Sequence, residues 1–255
     1  MSINVPFLPE IEIEEDASLL LAEYEATTGK DMSLPIPIDD ITRYQLALQL
    51  DFADLHETLN IPKLRNQTDI FGAIWVDKEI ILIDQSLNPN KSPSMLGRYR
   101  FSVGHEIGHW RLHRTYVVNE TDQAPLFETK SPPTVMCRTS QKKKWIEWQA
   151  DHSSSCLLMP RGRVHDVWKE ELGQDEALLL PELRSNDGLL MRAQSSVQVR
   201  GPGATQAIDN AMFEIVAKPL ASRFEVSPAA MRIRLEKLGL LLREAPQQRT
   251  FANGF

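Results

Sequence analysis

"VGHEIGHWRLHR", residues 103–114, sets His105, His109 and His113 four residues apart and puts Glu106 directly after the first of them. Within it, His105-Glu106-Ile107-Gly108-His109 matches the pattern His-Glu-x-x-His. On a helix, residues four apart share one face, so two imidazoles can converge on one ion with Zn–N bonds of roughly 2.0–2.1 Å. Zinc lowers the pKa of a bound water, and a carboxylate at the position of Glu106 can act as its general base. Five residues make a motif only in the right context, which is a helix. Phe101, Val103 and Ile107 are apolar at helical spacing, so a helix is expected over 96–113.

A catalytic zinc usually takes three protein ligands and keeps one position for water. His113 lies eight residues past His105, about 12 Å further along a straight helix, too far to reach the same ion. The longer pattern that turns the chain with a glycine is broken, because Leu112 stands in the glycine's place. His113 is therefore expected to pack or to hydrogen-bond. A second helix is expected over 145–159, stopped by Pro160, and it carries Glu147 and Asp151 four residues apart. Glu147 can ligate zinc and Asp151 can accept from the other ring nitrogen of His105. Spacing alone leaves open whether both acids simply face solvent.

"RFSVGHEIGHWRLHR" followed by "EWQADHSSSCLLMPR" resembles the ImmA/IrrE family of zinc-dependent metallopeptidases. The resemblance covers the paired motifs, the preceding hairpin and the final helices. It implies an α+β, zincin-like metallopeptidase fold with an active-site helix, a small antiparallel sheet and a C-terminal helix-turn-helix-like pair. It implies zinc, with Mn²⁺ as the alternative ion, held by His105, His109 and Glu147, with Glu106 as catalytic base and Asp151 behind His105. It also implies a protein substrate: a helix-turn-helix transcriptional repressor, cut to relieve repression of stress-response or mobile-element genes. The chain departs from the family in a long stretch between His109 and Glu147, and in His152 and three serines where aromatic and alanine residues are favoured.

Outward from the motifs, residues 16–28 read as an amphipathic helix and "LPIPIDDITRYQLALQLDF" as a connector followed by a helix through Ile41, Leu46 and Leu50. "FGAIWVDKEIILID", residues 71–84, reads as a β-hairpin turning at Asp77-Lys78. In zincin folds a strand beside the active-site helix pairs with extended substrate, a role open to Ile80–Asp84 or the strand before it. Tyr116 and His152 are candidates for steadying an oxyanion. Residues 119–143, ending in Lys142, Lys143 and Lys144, read as a surface loop.

The domain reading is a peptidase domain over 1–172, an insertion or mobile loop over 173–210, and a C-terminal segment over 211–255 packed on the core. In that segment "LASRFEVSPAAMRIRLEKLGLL" reads as helix, turn, helix, with Ser227 as N-cap and Gly239 as stop. Arg232, Arg234 and Lys237 are candidate DNA or protein contacts, although Glu225 occupies a turn position where glycine is usual. This feeds the alternative reading, a non-enzymatic regulator that binds DNA or a repressor.

The 255 residues are 42% hydrophobic and 25% charged, with a net charge of −7. That balance excludes a global attraction to nucleic acid or anionic membranes. Two cysteines outside any Cys-x-x-Cys pair, no basic apolar leader and no bilayer-length apolar run lead to the expectation of a cytoplasmic protein without a membrane partner.

Overall fold

The computed structural model describes residues 5–63, 69–121, 133–138 and 145–245. Lys142, Lys143, Lys144 and most of the expected 119–143 loop lie outside the described residues. The chain divides into two compact units, Met1–Arg163 with Arg223–Val226, and Val164–Ser222 with Ser227–Phe255.

The first unit begins with α1 (Glu10–Thr28), closed by Gly29 in the left-handed conformation. A single turn, α2 (Ile38–Asp40), runs into a π-helical turn at Ile41–Gln45. The helix expected through Leu50 is not formed. Ala47 turns the chain at φ 54°, and the next residues form strand β1 (Gln49–Ala53), with Leu50 inward and its two neighbours out. Ile41, Leu46 and Leu50 fit a helical stripe, but the out-in-out order at 49–51 fits a strand equally, and partners in the sheet decide.

After α3 (Leu55–Leu59), capped by the Asp54 side chain, the expected hairpin forms from β2 (Ile70–Trp75) and β3 (Ile80–Asp84). Its turn is one 3₁₀ turn, Val76–Lys78, followed by Glu79 at φ 58°. Leu55, Ile70, Ala73 and Trp75 make a core cluster on the sheet, each large apolar side chain stabilising by roughly 1.5–3 kcal/mol. Helices α4 (Leu96–Thr121) and α5 (Trp145–Leu158) follow, with strand β4 (Val135–Arg138) between them in sequence.

The sheet order is β1-β3-β2-β4. β1 runs parallel to β3 and the other pairs are antiparallel, so the sheet is mixed, not the antiparallel sheet expected. The register corrects a second expectation. β2 and β3 are interior, each paired on both sides, so neither has a free main-chain edge for an extended peptide.

The second unit continues α6 (Arg161–Leu172) into β5 (Leu178–Leu179), α7 (Leu180–Arg184), α8 (Asp187–Ser196), α9 (Ala204–Phe224), α10 (Pro228–Lys237) and β6 (Leu241–Leu242). The stretch 173–210, expected as an insertion or mobile loop, thus carries two helices and the start of a third. Its Gly and Pro residues fall at helix ends rather than across an open loop. Asn186 caps α8, and Arg184 pairs with Asp209 through contacts of 2.8 Å. Trp168, Phe213, Leu220, Met231 and Leu235 form the buried interior.

The mixed α+β class is as expected. Among the described residues, no helix is long and apolar enough to cross a membrane.

Candidate metal centre

α4 and α5 meet along small residues. A Cβ on Gly104 would lie 2.6 Å from Ser154 Oγ, and one on Gly108 would lie 3.0 Å from Ala150 Cα and 3.1 Å from Ser153 Cβ. Two of the serines that depart from the resembled family therefore fill this seam, where a larger side chain would push the helices apart. Backbones this close bring the faces carrying His105, His109 and Glu147 together.

His105 Nε2 lies 3.0 Å from His109 Nε2 and 3.3 Å from Glu147 Oε2, and His109 Nε2 lies 3.7 Å from Glu147 Oε1. Donors at the Zn–ligand distance in a tetrahedron stand about 3.3 Å apart, so the triangle fits one small ion. The three residues can hold a metal ion. The charges agree as well: two imidazole nitrogens this close repel as lone pairs unless a cation or proton lies between them.

His105 Nδ1 lies 2.9 Å from Asp151 Oδ1, the partner expected for it. Being an acceptor only, the carboxylate holds the proton on Nδ1 and leaves Nε2 unprotonated, the form that can ligate a metal. His113 is fully buried, with Nδ1 3.0 Å from His109 Nδ1 and Nε2 2.8 Å from Gln149 Oε1. Its expected exclusion from the ligand set holds, since it stands behind His109.

Glu106 is fully buried, and both of its carboxylate oxygens lack a hydrogen-bond partner among the described residues. Burial, aided by the nearby Glu147 and opposed by His105, pushes its carboxyl up to about 8. Burial likewise holds the His109 imidazole well below its ordinary value, with His105 and His113 adding to the effect. His113 is lowered for the same first reason, against Gln149 and Glu147, which raise it. A cation held by the three donors would draw Glu106 back toward the ionised form.

Two contributors were missed in the sequence. Gly72 on β2 faces Glu106, and a Cβ there would come within 3.0 Å of the Glu106 Cδ. A lone glycine inside the strand pattern "IFGAIW" signals such a close backbone approach. Gln149 had no such signal, because its role depends on tertiary neighbours.

Several candidates are not brought to the cluster. His152 stacks on Trp148 at 5.6 Å and lies 3.7 Å from Cys156 Sγ, and Tyr116 is exposed. Ser227 caps α10 by accepting from the Ala230 N–H, as expected, and Glu225 adopts φ 51°. Arg234 is 1% exposed, so it cannot offer its guanidinium to DNA, and that expectation is corrected. It shares the buried face of α10 with Met231 and Leu235. Arg232 is paired with Glu214 and Glu236. Lys237 alone of the three is exposed.

The chain matches no protein-family model, no curated protein and no solved structure.

Proposed function

We propose that the chain is a zinc-dependent endopeptidase of the ImmA/IrrE type. The observation that carries this reading is the fully buried Glu106 carboxylate, without a hydrogen-bond partner among the described residues, beside three converging donors. A purely structural metal site needs the donors but has no use for that acid, whose burial costs stability.

His105, His109 and Glu147 would hold the ion, and Zn²⁺ would supply Lewis acidity and a lowered pKa for water. Asp151 keeps the His105 ring oriented. Glu106 takes a proton from the attacking water and returns it to the departing amide nitrogen, so that hydrolysis leaves a carboxylate and an amine. Gly72 leaves the room in which that carboxylate sits.

The substrate proposed is a helix-turn-helix repressor, on the strength of the motif resemblance. The test is incubation of the purified, zinc-loaded chain with the repressor encoded beside it, with and without chelator. Chelator-sensitive cleavage supports the reading, and no cleavage together with no cellular effect of Glu106→Gln sinks it. The DNA-binding alternative draws little from the second unit, where Arg234 is buried and Arg232 is neutralised by acids of its own unit.

A further inference from the structure

His109 is oriented through a chain of contacts that ends at the backbone of the N-terminal segment. Gln149 Nε2 lies 2.9 Å from the Pro6 carbonyl oxygen. A carbonyl only accepts, so this contact settles which end of the Gln149 amide is which. Its Oε1 therefore faces His113 Nε2 at 2.8 Å and must receive an N–H from it. A neutral His113 with its proton on Nε2 has a bare Nδ1, which lies 3.0 Å from His109 Nδ1. His109 must then donate from Nδ1, and its Nε2 is left as a lone pair facing His105 and Glu147. The tautomers are assigned from this network, and each step has only one consistent choice.

His113 and Gln149 are both fully buried, so bulk water does not stand in for either. His105 reaches the same end by a different route, a single carboxylate, Asp151. The two histidine ligands thus have unlike supports, one anionic and direct, the other neutral and two residues long.

We propose that Gln149 is a positioning residue, which, held by the Pro6 carbonyl, sets through His113 the ring tautomer in which His109 binds metal. The proposal rests on the reading of His105, His109 and Glu147 as ligands. It also makes the segment around Pro6 part of the metal centre's support.

The test uses the full chain and Zn²⁺. Long-range ¹H–¹⁵N correlation of the histidine rings reads which nitrogen carries the proton, and competition with a chromophoric chelator reads affinity. In the wild type, zinc-loaded or metal-free, the His113 proton is expected on Nε2. In Gln149→Leu, similar in volume, that preference is lost and the Kd for Zn²⁺ weakens about 10–100-fold. A wild-type His113 protonated on Nδ1 overturns the proposal, and this measurement needs no variant to fold. An affinity within twofold of wild type in a folded Gln149→Leu also overturns it. A wild type that takes up no Zn²⁺ overturns instead the ligand reading, while the His113 tautomer of the metal-free chain still decides the relay.

Discussion

The α4–α5 pair and the α9–α10 pair both carry charged groups inward, and they treat them oppositely. On α9–α10, Arg232 pairs with Glu214 and Glu236, and Arg243 pairs with Glu236 and Asn210. Charge there is cancelled within the unit. On α4–α5, Glu106 is buried without a hydrogen-bond partner among the described residues, and two imidazole nitrogens face each other at 3.0 Å. Groups that are matched serve the fold, whereas groups held against their own stability wait for an ion, a substrate or a proton.

The contrast can be broken most sharply at Glu106. Glu106→Gln is expected to cut peptide hydrolysis by about 10²–10⁴-fold, the usual worth of a general base, with Zn²⁺ affinity retained. Loss of metal along with activity would make Glu106 a structural residue like those of the second unit. Gly72→Ala comes next. Its methyl group displaces the Glu106 carboxylate, and an error of about 1 Å at a reacting group costs about 100-fold in rate. Parallel measurements of turnover and zinc stoichiometry would separate this from loss of the ion.

In the second unit the expected loss is of stability. Arg234→Ala should lower unfolding free energy by about 2–4 kcal/mol in denaturant titrations, through lost packing and buried contacts. Gel shifts should show no salt-sensitive DNA binding to lose. Such binding in the wild type, abolished by Arg232→Ala, would reverse the comparison.

A pH effect spread over several units follows from the raised Glu106 carboxyl. Below pH 4.5 the group is mostly protonated whether folded or unfolded and adds no pH dependence to stability. Between 4.5 and about 8 the unfolded chain releases the proton while the folded chain keeps it, so stability falls as pH rises. In chelator, wild-type stability should drop by about 1 kcal/mol per pH unit across that window and then level off. Glu106→Gln should lack this slope, so thermal unfolding of the two chains should agree at pH 4.5 and diverge at pH 8.

The helices around the site were legible because their patterns are local. His105, Glu106 and His109 sit on one helix face by spacing alone, and Ser227 caps α10 by a contact three residues long. Glu147 needed the motif resemblance, since its distance to His105 is fixed by the Gly108–Ala150 approach and not by anything adjacent in sequence. β1 was lost because its alternation is short and its partner, β3, is some thirty residues away, pairing in parallel. Arg234 was misread for a related reason: helix periodicity marks faces, and only packing says which face is buried.

The glycine–serine seam has a consequence for how the ion comes and goes. Only small side chains, Ser153, Ser154 and Ala150, stand between α4 and α5 at Gly104 and Gly108, so parting the helices would open a close-packed seam. His105 and His109 side chains are at most 3% exposed, while Glu147 is 22% exposed. Exchange with solvent is therefore one-sided. Of the three residues that could hold an ion, the Glu147 carboxylate is the one that reaches solvent, and the two imidazoles form the closed side.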